Sequence, residues 1–299
     1  MAVLIVNPRA SCVTPERTAA VARELERIGP VEVAETSGRW HARDLAADAA
    51  GRGEAVYVFS GDGGYNEALN GVGEGPIGFL PGGGTNVLPR ALGLPRDPVE
   101  CARRLAAGGT PRRISLGRVN GRRFAFAVGL GLDAAAVRVV DERGRKPDGR
   151  RPGDFAYLGA FARLLRASGG RIDPQIEVAG HGRVAWALVS NGPVYTYAGA
   201  MPIHVAPETR WELGLDLVAP RAIHVRSFPR LMGYALTGRG QQRASDIVYV
   251  HDADRVELRA DCPLPLQADG EDLGDAREVL LEAERNAVAV LVGPAVGSH

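Results

Sequence analysis

Two glycine-rich segments carry the residue types best suited to gripping an anion: Ser60-Gly61-Asp62-Gly63-Gly64-Tyr65-Asn66-Glu67 and Pro81-Gly82-Gly83-Gly84-Thr85-Asn86. Each follows a short apolar run and opens a helical pattern. Glycine lets backbone amides come close to an anion, and the free N–H groups of a turn and of a helix N-terminus point at it. Asp62 adds a carboxylate that can serve Mg²⁺ or a hydroxyl. Turns of this kind at the carboxyl ends of neighbouring parallel strands face one crevice, where such sheets bind their ligands. Ordinary strand-to-helix turns are the competing reading. The repetition of one design, with a polar residue at each helix start, favours an anion site large enough for a triphosphate.

Gln267-Ala268-Asp269-Gly270-Glu271 sets two carboxylates around a glycine. Asp-Gly is a common turn dipeptide, and on the residues alone a turn is the better reading. Gly129-Leu130-Gly131-Leu132-Asp133-Ala134 satisfies the dinucleotide pattern G-x-G-x-x-A. Its flanks show no repeated βαβ unit, and no strand ends in an acid about 20 residues on, so that reading is weak. The six histidines lack metal-ligand spacing and no G-x-S-x-G elbow occurs, which leaves zinc-enzyme and hydrolase readings without support.

Charge and composition narrow the partners. Net charge is +1, so no overall field draws the chain to nucleic acid. Lys146 is the sole lysine, which excludes a Walker A loop, since that loop needs a lysine on the β/γ-phosphates. Cys12, Cys101 and Cys262 are few and far apart, as reduced thiols are. No apolar run approaches the ~20 residues of a membrane span, and no secretory signal opens the chain. The expectation is a cytoplasmic protein, with a peripheral contact at the inner membrane face. Arg143, Arg145, Lys146, Arg150 and Arg151, just before the amphipathic stretch Asp154 to Ala167, are the residues expected to meet an anionic leaflet, each worth about 1 kcal/mol. A solvated loop followed by a core-packing helix is the alternative. Nothing in the sequence opposes a homodimer.

The elements that must position these residues divide the chain. Up to about residue 115, apolar runs at 3–6, 31–34, 55–59 and 77–80 alternate with helical patterns at 15–28, 41–50, 87–92 and 99–106, a mainly parallel α/β domain. Residues 116–286 are dominated by alternating runs such as Phe124 to Val128, Ile176 to Val178, Ala185 to Val189, Ile247 to Val250 and Val256 to Leu258. These predict a second, antiparallel β-rich domain, interrupted by a helix over 154–167. The last apolar run, within 287–299, is expected to return to the first domain.

The motifs, taken in order, resemble the diacylglycerol kinase catalytic family, which includes bacterial lipid kinases and the sphingosine and ceramide kinases. Asn7-Pro8 is similar to the family's opening N-P element, Ser60 to Asn70 to G-G-D-G-T-x-N-E-V, and Pro81 to Leu94 to its P-x-G-T-x-N stretch. Val128 to Ala134 resembles G-x-G-x-D-A, Asn191 with Tyr195 to Gly199 and Pro207 follows the middle of the second domain, and Asp269-Gly270-Glu271 matches D-G-E. The resemblance implies an α/β domain of the NAD kinase/diacylglycerol kinase type joined to a C-terminal antiparallel β-sandwich domain, with ATP and Mg²⁺ as cofactors and a lipid as substrate. It further implies nucleotide contacts from Asn7, Arg9, Ser60, Gly61, Asp62, Gly63, Gly64, Asn66, Glu67, Gly82, Gly83, Gly84, Thr85 and Asn86. Asp269 becomes the expected general base for the lipid hydroxyl, with Glu271 orienting it or joining the Mg²⁺ network. Asp62 is the rival base, because the sphingosine kinase branch assigns that role to the aspartate of S-G-D-G.

Three departures bear on activity. Gly64 replaces the family's threonine, and Val87 an aspartate found in many bacterial members; Arg9-Ala10-Ser11 replaces a serine-glycine. Threonine at position 64 is therefore expected to be tolerated and to restore a hydroxyl. The implied activity is phosphorylation of a membrane-lipid hydroxyl, with diacylglycerol first and a sphingoid base or phosphatidylglycerol as alternatives. An NAD kinase-like nucleotide kinase and a binding homologue without turnover remain the other readings.

Overall fold

The computed structural model describes residues 1–142 and 154–293, and the chain forms two compact units, Met1–Ile114 with Asn286–His299, and Ser115–Arg285. The first unit alternates strands and helices: β1 (Ala2–Val6), α1 (Pro15–Leu25), β2 (Val31–Glu35), α2 (His41–Gly51), β3 (Ala55–Ser60), α3 (Asp62–Leu69), β4 (Ile77–Pro81), α4 (Val87–Ala91) and α5 (Pro98–Ala106). Strands β2, β1, β3 and β4 lie side by side and parallel. β1, β3 and β4 are buried almost throughout, as the continuous apolar runs of a covered parallel sheet require. Thr14 caps α1 by accepting from the Arg17 amide, and Asp97 caps α5 by accepting from Val99 and Glu100; a proline at the first turn follows each cap. Ser60 stands opposite Pro81 in the β3–β4 register, so both glycine turns leave the sheet at the same level.

In chain order, the remaining elements begin with β5 (Thr110–Val119), β6 (Arg122–Phe124), β7 (Ala127–Leu130), α6 (Leu132–Glu142), α7 (Asp154–Ala167), β8 (Arg171–Ile172), β9 (Ile176–Val178), β10 (Gly182–Val184) and β11 (Ala187–Ser190). They continue with β12 (Thr196–Ala198), β13 (Met201–Ile203), β14 (Leu215–Pro220), β15 (Ile223–His224), α8 (Phe228–Thr237), β16 (Ile247–Ala253), β17 (Arg255–Ala268) and β18 (Glu271–Val292). In the second unit β16, β14, β11, β7, β17 and β18 pair antiparallel in that order. Their inward residues, among them Val128, Val189, Leu217, Leu258 and Leu281, make one apolar core. The end of β18 belongs to the first unit, where Val290 pairs in parallel with Ile77 of β4.

Two expectations change. The run Phe124 to Val128 is not one strand, because β6 ends at Phe124 and β7 begins at Ala127. The amides of Ala125, Phe126 and Ala127 turn instead to the Asp269 carboxylate. The separate runs at 256–258 and 287–292 belong to one long hairpin, β17 and β18, whose register shifts between Arg259 and Leu264 and between Pro265 and Gln267. Those irregularities break the two-residue period that would have revealed it. The basic cluster from Arg143 to Arg151 lies outside the described residues. No helix among the described residues is long and apolar enough to cross a membrane.

Candidate active site

The two glycine turns of the first unit touch each other through backbone. A Cβ on Gly83 would stand 2.8 Å from the Gly61 Cα, and one on Gly82 would stand 2.9 Å from the Ser60 carbonyl oxygen. Only glycine allows this approach. The Gly82 amide donates to the Ser60 carbonyl at 2.7 Å, and the Cys12 amide donates to the Gly82 carbonyl at 2.8 Å. Asn86, at φ +53°, closes the second turn on itself: its Oδ1 accepts from the Gly83 amide at 2.8 Å and its Nδ2 donates to the Gly83 carbonyl at 2.7 Å. Asparagine tolerates this left-handed backbone better than most residues do.

Tyr65, which the sequence reading passed over, ties the turns together. Its hydroxyl lies 2.6 Å from the carbonyl oxygen of Ser60 and 2.7 Å from that of Leu80, so one proton is shared between the ends of β3 and β4. Burial, and then the nearby Asp62 charge, hold the phenol well above its ordinary pKa, which keeps it protonated for this role. Asp62 reaches across as well, its Oδ1 accepting from the Leu88 amide of α4 at 3.3 Å. The Ser60 hydroxyl oxygen is buried and has no hydrogen-bond partner among the described residues. Asn66 is buried one turn into α3, and Glu67 beside it is half-buried.

A cavity of about 230 Å³ adjoins the second turn, lined by Gly83, Gly84, Thr85 and Asn86 and by three arginines, Arg17, Arg90 and Arg96. Arg17 donates to the Cys12 carbonyl at 3.0 Å and Arg90 to the Thr85 carbonyl at 3.3 Å. These cations were not singled out from the sequence, although Arg90 stands four residues after Asn86 on α4. Of the expected phosphate contacts at the chain start, Asn7 accepts from the Arg9 amide at 3.0 Å. The Arg9 guanidinium donates to the Ser37 carbonyl at 3.4 Å.

In the second unit, Asp269 and Gly270 form the two-residue turn of the β17–β18 hairpin, with φ of +50° and +77°. Both positive angles suit Asp-Gly at such a turn. The Asp269 side chain is 5% exposed and accepts from the amides of Ala125 at 2.7 Å, Phe126 at 2.9 Å and Ala127 at 3.2 Å. Its carboxylate is thus fixed in direction by the β6–β7 connection. Glu271, half-buried, forms an ion pair with Arg122. Among the described residues no group of three or more His, Cys, Asp or Glu side chains could hold a metal ion.

The second unit also contains an apolar cavity of about 130 Å³, walled by Phe161, Leu188, Ile203, Val218, Leu231 and other side chains from α7, α8 and the sheet. Asp133, 2% exposed, also lines it, and its oxygens accept from the Tyr195 hydroxyl and from Gln267 Nε2, both at 2.6 Å. Burial raises its pKa, while those two hydrogen bonds act in the other direction.

Residues 1–119 match the diacylglycerol kinase catalytic domain. The chain is 28% identical over 226 residues to the diacylglycerol kinase of Bacillus subtilis (strain 168), an alignment covering 73% of this chain and 71% of that protein. It is 27% identical over 226 residues to the diacylglycerol kinase of Staphylococcus carnosus (strain TM300), covering 73% and 70%. The crystal structure of a diacylglycerol kinase from Bacillus anthracis str. Sterne superposes with a TM-score of 0.72 at 19% identity, over 99% of this chain and 97% of that one, a likeness of fold. The paired glycine turns on adjacent parallel strands lie within the residues that match the diacylglycerol kinase catalytic domain, and the chain is similar to lipid kinases of that family.

Proposed function

We propose that this chain transfers the γ-phosphoryl group of ATP to the free hydroxyl of diacylglycerol. The observation that favours a lipid acceptor is the apolar cavity of the second unit, walled by aliphatic and aromatic side chains that an acyl chain can replace water against. A sphingoid base and phosphatidylglycerol are the alternative acceptors.

The first unit fits a nucleotide triphosphate on three counts. Its glycine turns leave no space for side chains at Gly82 and Gly83, the Ser60 hydroxyl lacks a partner among the described residues, and three arginines line the adjoining cavity. Mg²⁺ commonly binds through one or two carboxylates and the substrate's own phosphates, so the lone Asp62 suffices and no larger acidic cluster is needed. When bound, ATP and Mg²⁺ supply the transferable phosphoryl group and neutralise its charge. The turns at Gly61 to Asn66 and Gly82 to Asn86 hold and orient the phosphates. Asp269, its direction fixed by three amides, accepts the proton of the acceptor hydroxyl, and Glu271 with Arg122 braces the same hairpin. The reaction takes place at the cytoplasmic face of the membrane, where both ATP and the lipid are present.

Incubation with radiolabelled ATP and a mixed lipid extract tests this. A labelled chloroform-soluble product that comigrates with phosphatidic acid is expected. A labelled water-soluble product favours a nucleotide kinase, and a labelled lipid of different mobility moves the acceptor to another class.

A further inference from the structure

Helix α8 is apolar nearly all round, yet the fold buries none of it. In Phe228 to Thr237 the one charged residue is Arg230, and no residue of the helix is buried. Phe228, Leu231, Met232 and Tyr234 line the apolar cavity on its inner side. Its outer side leaves Pro229, Arg230, Leu236 and Thr237 exposed. A helix that is hydrophobic all round normally lies within a core or a membrane. The large apolar side chains exposed among the described residues of the second unit all gather here. Val225, 58% exposed, just precedes the helix, Leu236, 42%, lies in its last turn, and Met201, 48%, is on β13, which packs against it.

Charge around this face has one sign. From Arg221 to Ser245 the chain carries five arginines and no Asp or Glu. All five, Arg221, Arg226, Arg230, Arg239 and Arg243, are exposed. Arg230 is paired with Asp246, whereas Arg226, Arg239 and Arg243 have no ion-pair partner among the described residues. On the neighbouring strand β8, Arg171 already occupies Asp173. At the start of the helix His224, Arg226, Ser227 and Arg230 line an open cavity of about 540 Å³ beside Val225. Apolar side chains flanked by unpaired guanidinium groups match the two layers of an anionic bilayer, acyl chains for the first and lipid phosphates for the second. A second copy of the chain fits poorly, because a two-fold contact sets this face on itself and brings its arginines together.

We infer that α8 and the segments flanking it form the surface by which the chain docks on an anionic membrane: Val225, Leu236 and Met201 enter the boundary between headgroups and acyl chains, and Arg226, Arg239 and Arg243 bind lipid phosphates. This is a different surface from the basic cluster Arg143 to Arg151 expected from the sequence. It sets the bilayer against the outer side of a helix whose inner side walls the apolar cavity. The use of that wall for lipid entry rests on the reading of the cavity as the lipid site; the docking itself does not.

Sedimentation of the full chain with sucrose-loaded vesicles, in the absence of ATP, tests this. The vesicles are phosphatidylcholine with or without phosphatidylglycerol, at low and at high salt. The wild type is expected to bind the anionic vesicles and to release them as salt rises. Each arginine at the surface is worth roughly fivefold in partitioning, so Arg226→Gln, Arg239→Gln and Arg243→Gln together weaken binding on the order of a hundredfold. Val225→Ser with Leu236→Ser loses roughly tenfold, and this loss persists at high salt. Glutamine at Arg143, Arg145, Lys146, Arg150 and Arg151 leaves salt-sensitive binding in place. Should the serine variant lose its fold, Leu236→Trp decides instead, its emission shifting to the blue with anionic vesicles and not with phosphatidylcholine alone. Anionic vesicles that fail to bind the wild type assign the face to a protein partner and overturn the inference. Binding that ignores lipid charge, or that is lost only with the Arg143 to Arg151 cluster, overturns it too. Phosphorylation of diacylglycerol in the same vesicles is read separately. Binding through α8 without phosphorylation of any lipid upholds the docking surface and overturns the kinase reading.

Discussion

Ser60 and Gly64 share one side-chain position. A Cβ on Gly64 would stand 2.2 Å from the Ser60 hydroxyl oxygen and 2.7 Å from the Ser60 Cβ. Rotation of Ser60 can relieve the first contact but not the second. The related family motif, G-G-D-G-T, has glycine where this chain has Ser60 and threonine where it has Gly64, so the two departures are a single exchange. The hydroxyl is retained and offered from the last residue of β3 instead of from α3. Threonine at 64 is therefore not tolerated as the motif alone suggested. Gly64→Thr is expected to destabilise the fold by about 1–3 kcal/mol through overpacking. Ser60→Gly with Gly64→Thr together should recover most of that loss. Denaturant unfolding of the two single variants and the double variant measures the coupling, and additive losses would show that the positions are independent.

The contact between the turns makes a second, more local prediction. Gly83→Ala drives a Cβ against the Gly61 backbone, whereas Gly84 has nothing within 4 Å of the corresponding position. Gly83→Ala should lower both the melting temperature and ATP affinity. Gly84→Ala should leave stability unchanged and weaken ATP only if phosphate occupies that open side. Thermal melts with and without ATP distinguish these outcomes. An unchanged Gly83→Ala would mean that the turns separate at no cost.

Tyr65→Phe removes the hydroxyl shared between Ser60 and Leu80 while keeping the ring that packs edge-on against Phe79 at 5.2 Å. Loss of a buried hydrogen bond that satisfies two carbonyls should cost about 1–3 kcal/mol in stability. ATP affinity should fall as well, because the register of the turns depends on that bond. A Tyr65→Phe variant as stable as wild type would show that other bonds to those carbonyls suffice.

Much of this organisation was readable from residue order. The continuous apolar strands, the Thr14-Pro15 helix start and the paired glycine turns follow from local rules, and the structure places them accordingly. Tyr65 was missed because its aromatic ring fits the buried face of α3, and only the strand ends it meets show that its hydroxyl has work. The arginines by the second turn converge from α1, α4 and the approach to α5, a convergence no single window contains. The long hairpin was fragmented because Pro263, Pro265 and Gly274 interrupt its alternation. Asp269 does more in the fold than its turn dipeptide predicts. It is a turn residue by backbone, and its side chain also holds the amides that break the neighbouring strand.

The buried carboxyl of Asp133 should leave a signature in the pH dependence of stability. Burial raises its pKa in the folded chain above the unfolded value. Folding thus favours the protonated form, and the ionised group costs stability at neutral pH. That cost is relieved as pH falls through the folded pKa, and the relief is complete below the unfolded value of about 3.9. Asp133→Asn removes the titration. The stability of wild type relative to Asp133→Asn should therefore rise as pH is lowered from neutral toward about pH 4. Paired denaturant titrations across that range read the difference, and a difference that is flat or falls with acid would contradict the assignment.

Substitution separates the roles of the two aspartates, and the structure alters how that must be done. Asp269→Asn removes a proton acceptor, but it also puts an NH₂ group against the amides of Ala125, Phe126 and Ala127, which require oxygen. One of these donors loses its partner, at a cost of about 1–3 kcal/mol in stability. A loss of rate is informative only if the variant is assayed well below its melting temperature. Under those conditions loss of the general base should reduce kcat by about 10²–10⁴-fold. ATP affinity should barely change, because the nucleotide contacts lie on the glycine turns. Asp62→Asn differs: its bond from the Leu88 amide can be kept by the remaining oxygen, so stability should hold while affinity for Mg²⁺ and ATP falls. Measuring kcat, the ATP dissociation constant and the melting temperature for both variants assigns the roles. If Asp62→Asn abolishes turnover with ATP binding intact, and Asp269→Asn remains active once its stability loss is allowed for, then Asp62 is the base and Asp269 serves to hold the hairpin.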